Sequence, residues 1–125
     1  MSDSQDQAME RLANHLARTY VALATLCLNL PLPITLPTGM ISQDDVVPAI
    51  RRVMDICEDI PMPEDQQATL FAGCAFWLGA MDLYELLADD FNMARAHSAA
   101  ACILMADDNL TDMALWLRDQ QRQQD

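Results

Sequence analysis

No lysine occurs in the 125 residues; the 7 basic side chains are all arginine and face 19 carboxylates, for a net charge of −12. Without lysine the chain has no Schiff-base nucleophile and no Walker-type phosphate loop. The same imbalance repels nucleic acid and anionic membranes, and it suits a basic partner or simple solubility. Glycine is also scarce, at 3 residues. Few glycines among many Ala, Leu and Met argue for helices and against a turn-rich sheet protein. The 4 cysteines (Cys27, Cys57, Cys74 and Cys102) stand far apart, and no Cys-x-x-Cys pair exists. Zinc takes its ligands in close pairs, so these read as free, buried thiols of a reduced, cytoplasmic protein. The first nineteen residues are polar and acidic rather than basic then apolar, so no secretory signal is read there.

What the chain does have is an apolar fraction of 52% within a single domain's length. Residues Ala68 to Met81 carry no charge and mix Leu70, Phe71, Phe76, Trp77 and Leu78 with very small side chains. A segment apolar on all sides needs cover from protein or lipid. Fourteen residues are too few to cross a bilayer, which takes roughly 20, so the stretch reads as a central core helix and no membrane span is expected. Ahead of it, Met9, Leu12, Leu16, Tyr20, Leu23 and Cys27 recur every three or four residues and predict an amphipathic helix over 7–29. Leu30-Pro-Leu-Pro-Ile-Thr-Leu-Pro-Thr-Gly39 then excludes helix. Its Leu32, Ile34 and Leu36 should either lie across the helices or dock a partner. A second helix starts at Asp44 or Asp45 with Pro48 in its first turn, and a third runs from Pro63 to about Ala88. Asp89 or Asp90 caps a fourth, from Phe91 to about Ala106. A fifth begins at Asn109 or Thr111. Residues 1–6 and 119–125 are polar ends expected to fray.

The reading is therefore all-α, with five helices built on one antiparallel hairpin. Ala68, Ala72, Ala75 and Gly79 draw a narrow seam down helix three, and Ala94, Ser98 and Ala101, with Ala96, Ala99 and Ala100 on neighbouring positions, are its expected counterpart on helix four. The stretch Asp90-Phe91-x-x-Ala94, with Ala101, Leu104 and Asp107-Asp108, resembles the second helix of a tetratricopeptide repeat. Ser98 stands where that pattern has an aromatic, Ala106 where it has proline, and no 34-residue period runs through the chain. The resemblance implies a degenerate, repeat-like hairpin, similar in outline to the small acidic chaperones and co-chaperones of type III secretion.

No constellation for catalysis is present, and the chain is read as a non-enzyme without cofactor or metal. His15 is expected on a polar face, and His97 in a partly buried structural place. Asp107-x-Asn109-x-Thr111-Asp112 lacks the glycine and closing glutamate of a calcium loop and reads as a capping turn. Nine methionines are mostly core by position, and they also suit an apolar surface that repacks around partners. The expected function is a protein-binding module, an adaptor or chaperone holding an amphipathic or disordered segment against helices three to five. Phe71, Trp77, Tyr84 and Trp116 are the expected aromatic anchors. Self-association as a homodimer through the first helix is also expected. The rival reading is an acidic inhibitor of the phage anti-defence type, which blocks a basic, nucleic-acid-binding surface without touching nucleic acid itself.

Overall fold

A computed structural model describes residues 3–40 and 42–124, and these form four α-helices and one 3₁₀ turn. α1 (Asp3–Leu28) begins four residues earlier than the periodicity predicts, because Asp3 and Asp6 sit favourably in its positively polarised first turn. Met9, Leu12, Leu16, Tyr20, Leu23 and Cys27 are buried as predicted, but the wider stripe expected to include Ala17, Val21 and Leu28 is not, since those three are exposed. The proline-rich strap finishes the helix by folding back on it. The Asn29 N–H donates to the Leu26 carbonyl and the Ile34 N–H to the Cys27 carbonyl, each at 2.9 Å, and the Leu30 N–H also reaches Cys27 at 3.5 Å, so both carbonyls at the helix end are satisfied. Leu30 and Leu36 are buried, while Leu32 is 50% exposed, so the strap packs at home with one apolar side chain left over. Gly39 turns the chain at φ +89°, a conformation that strains any side chain.

α2 (Gln43–Ile56) starts after Ser42, not after either aspartate; Asp44 and Asp45 occupy its first turn instead. Pro48 therefore lies one turn further in than expected, and it removes the N–H that Asp44's exposed carbonyl would accept. A 3₁₀ turn (Cys57–Asp59) leads into Ile60-Pro-Met-Pro63. Gln67 latches that bend by donating to the Glu58 and Ile60 carbonyls at 3.1 and 3.0 Å. α3 (Glu64–Asp89) follows, with Glu64 and Asp65 in its first turn. Its full 26 residues are long and apolar enough to cross a membrane, which the fourteen uncharged residues alone were not. In this fold its buried side is covered by α1, α2 and α4.

The fifth helix is not separate: α4 runs unbroken from Met93 to Gln124. Asn92, rather than Asp89 or Asp90, caps it, its side-chain oxygen accepting the Arg95 N–H at 2.8 Å. The break expected near Asp107 fails for two reasons. Buried Ala96, Ala99, Ile103, Ala106, Leu110, Met113 and Leu117 keep alternating steps of three and four straight through it. Asn109, an expected start, instead donates its side-chain amide to the Met105 carbonyl one turn back at 3.0 Å, within the continuous helix.

α3 and α4 form the most extensive pairing in the molecule, joined by a three-residue connection. On α3 the matching stripe is Leu70, Gly73, Trp77, Ala80 and Leu87, with half-buried Tyr84 between the last two. A Cβ on Gly73 would stand 3.4 Å from both Asn109 Cβ and Leu110 Cδ2, which fixes an antiparallel register. Continued by a heptad, that register brings Ala80 level with Ile103 and Trp77 level with Ala106, small against large. The predicted small-residue seam lies on the wrong side. Ala68, Ala75, Ala94, Ser98 and Ala101 are exposed, and a Cβ on Gly79 would meet nothing within 4 Å. On α4 the expected Ala96 and Ala99 are buried, and the small residues that join them in the buried stripes are Gly73, Ala80 and Ala106.

Candidate functional site: an uncharged aromatic groove

The four aromatic residues singled out by sequence do not converge on one surface. Phe71 stands on the outer side of α3, 48% exposed. Trp116 is half-buried beside Pro31, Met62 and Gln120 in a cleft at the C-terminal end of α4. Trp77 and Tyr84 do meet, in a groove of about 440 Å³ between α1, α3, the strap and the start of α2, where Gln43 and Val46 line it. Helix three is thus part of the site, but its companions are α1 and the strap rather than the later helices.

Trp77 is a wall of that groove more than a projecting anchor. Only 2% of it is exposed. Its indole N–H donates to the Leu16 carbonyl at 3.0 Å, and its ring lies 5.8 Å from Tyr20, tilted by 50°. Tyr20 in turn donates its hydroxyl to the Pro37 carbonyl at 2.5 Å, so one aromatic chain ties α3 to α1 and α1 to the strap. Both polar atoms are spent on holding the site. Tyr84 differs: its hydroxyl makes no hydrogen bond among the described residues. Ala13 and Ala17 on α1 leave the space open, Val21 and Met81 extend the apolar lining, and Thr38, Ser42 and Gln43 supply polar groups at the strap side.

None of the lining side chains is charged. This follows from a long uncharged run: residues 19–43 contain no Asp, Glu, Lys, Arg or His, in a chain whose net charge is −12. The volume and lining match those of small-molecule and side-chain pockets, which are apolar cavities of roughly 300–1,000 Å³ with a few placed polar groups. A larger cleft of about 630 Å³ runs between Thr25 on α1, Asn29 just beyond its end, and Thr111 and Gln121 on α4. It has no aromatic wall and is bordered by Asp107 and Arg118, which makes it the poorer apolar receptor.

Two polar or reactive clusters were not foreseen, because each joins residues distant in sequence. Asp107 on α4 accepts hydrogen bonds from His15 Nε2 and from the Thr19 hydroxyl, both at 2.6 Å. His15 is therefore half-buried in a bridge between helices, not on a free polar face, whereas His97 is exposed. Both carboxylate oxygens are occupied and Thr19 is 2% exposed, so the trio is a clamp and not a nucleophile with its base. Cys27, Cys57 and Cys74 come together in the core from α1, the 3₁₀ turn and α3. Burial, reinforced by neighbouring thiols, pushes Cys27 up to about 12 and Cys74 higher still; burial and Glu58 push Cys57 up to about 11. All three stay protonated and unreactive near neutral pH. Among the described residues no group of His, Cys, Asp or Glu is arranged to hold a metal ion.

No family model matches this chain, and neither a curated protein nor a solved structure was found to resemble it.

Proposed function

We propose that this chain is a non-catalytic protein-binding module, an adaptor or chaperone that holds a helical or disordered segment of a partner. The observation that carries the reading is the uncharged groove walled by Tyr20, Trp77 and Tyr84 on an otherwise strongly acidic molecule. Apolar side chains of a partner gain by entering such a cavity, and aromatic walls dominate binding hot spots. Tyr84 and Trp77 are the groove's share of the four aromatic anchors; Phe71 and Trp116 offer outlying contacts. The α3–α4 pair is a degenerate tetratricopeptide-like hairpin in this reading. Asp90-Phe91 at the turn supports it, while exposed Ala94 and Ala101 take no part in the helix contact. Exposed Leu28 and Leu32 supply an uncharged face for a homodimer through α1.

The substitution Ala17→Arg tests the groove. Ala17 is exposed and helical, so the arginine costs little stability but lays a charged chain across the opening. A partner captured from the native host should bind the wild type, persist at 1 M salt and be lost to Ala17→Arg. Capture that ignores Ala17→Arg would contradict the groove. The acidic-inhibitor reading draws on exposed Glu58-Asp59 and Glu64-Asp65, which flank one bend. It makes the opposite salt prediction, because exposed charge pairs are screened beyond about 3 Å at 1 M ionic strength.

A further inference from the structure

Resting on that groove, we propose that the segment it takes is basic: one bulky apolar or aromatic side chain flanked by arginine or lysine. The interior cannot be the source of charge selectivity, since every lining side chain is neutral. A charged group pushed into it would lose its hydration without a partner. The anchor is therefore uncharged.

The rim is different. Asp44 and Asp45 directly follow Gln43, which lines the strap side, and both are exposed. Glu85 follows Tyr84 on α3 and is exposed. Glu10 lies one helical turn ahead of Ala13 on α1, on the same face, and is exposed as well. Exposed acids thus adjoin lining residues on α1, α2 and α3, and Asp45 accepts a hydrogen bond from the hydroxyl of the lining Ser42 at 3.3 Å. One base, Arg18, also adjoins the lining: it shares with Ala17 a neighbouring depression that includes Arg11 and Asn14. A segment seated by its apolar anchor would carry its flanking residues over these carboxylates. The free Tyr84 hydroxyl adds an acceptor for an N–H of the same flanks. The overall charge of −12 steers a basic segment inward and repels an acidic one. It also disfavours nucleic acid, an anionic vesicle, and a second copy of this chain as the occupant of the groove, since that copy would bring the same acids against the rim; the uncharged Leu28 face is not affected.

The probe is a displayed library of random twelve-residue peptides, selected on the wild type and counter-selected on Ala17→Arg. Recovered peptides that need the groove should carry Arg or Lys around a single Trp, Phe or Leu. Replacing those bases by Gln should weaken them about tenfold, given several exposed ion pairs of modest strength each. Asp44→Asn with Asp45→Asn should do the same, and so should Glu85→Gln, which leaves the start of α2 untouched. Groove-dependent peptides with no basic enrichment, or with affinities indifferent to these rim changes, would overturn the inference and leave the groove reading standing. Recovery of no peptide that is lost on Ala17→Arg would overturn both.

Discussion

The seam between α3 and α4 and the groove between α1, α3 and the strap are both apolar, and both use Trp77, yet only one is filled. In the seam, small residues face large ones at heptad spacing: a Cβ on Gly73 would stand 3.4 Å from Leu110, and Ile103 and Ala106 are fully buried. In the groove, Ala13 and Ala17 face Tyr84 and Met81 across about 440 Å³ with nothing between. Small-against-large packing locks two helices together. Small residues with no large counterpart leave room for something else. The number of apolar residues in a stretch therefore says little about binding; the pairing across the gap decides it.

The largest expected effect comes from the residue that the two regions share. Trp77→Ala should lower unfolding free energy by about 3–5 kcal/mol, since it empties the seam and cuts the tie to Leu16 together. Trp77→Phe, which keeps most of the volume, should lose about 1 kcal/mol for the hydrogen bond, measured by urea titration.

Next comes the thiol cluster behind both regions. Its ordinary thiol value is 9.0 in the unfolded chain, and burial raises the folded values to about 12 for Cys27 and about 11 for Cys57. Above pH 9 the unfolded state therefore holds fewer protons than the folded state, and stability falls as pH rises. The loss should be on the order of 1 kcal/mol per thiol by pH 10, with little change from this source below about pH 8. Chemical denaturation at pH 7 and pH 10 checks this. Cys57→Ala should flatten the slope.

A matched pair of enlargements separates the filled region from the open one. Ala106→Leu overpacks the seam and should cost about 1–3 kcal/mol. Ala17→Leu adds the same atoms at the groove and should stay within about 0.5 kcal/mol of wild type by thermal melting. If Ala17→Leu were as costly as Ala106→Leu, the groove would not be open.

The smallest effect probes the misread side of α3. Gly79→Ala should stabilise by about 0.5–1 kcal/mol, because the new methyl meets no neighbour and removes a flexible residue from a helix interior. A destabilising Gly79→Ala would mean that another element covers that side.

The helices of this molecule were readable because burial on α1 follows a clean three–four period, and Met9 through Cys27 all lie where that period puts them. The phase of α3 was not readable. Ala68, Ala72, Ala75 and Gly79 form one small-residue stripe and Gly73 and Ala80 another, and a helix apolar on every side gives no reason to prefer either. The continuity of α4 was hidden by residues with two uses. Asp107, Asn109 and Thr111 are good caps, but Asp107 is claimed by His15 and Thr19 from a helix some ninety positions away. Trp77 and Tyr84 could be named as candidates from residue type alone. That they share a groove with Tyr20 depends on where the strap crosses α1, which Gly39 and the Tyr20–Pro37 hydrogen bond decide. The convergence of three cysteines is likewise a product of packing.

The most direct test of the groove uses the fact that the chain has only 2 tryptophans, one at each end of the comparison between groove and outlying cleft. In a ¹H–¹⁵N correlation spectrum each gives one indole N–H signal. On titration with a groove-selected peptide, the Trp77 signal should shift in proportion to occupancy, the Trp116 signal should stay in place, and Ala17→Arg should abolish the shift. Movement of the Trp116 signal with Trp77 unchanged would contradict the account.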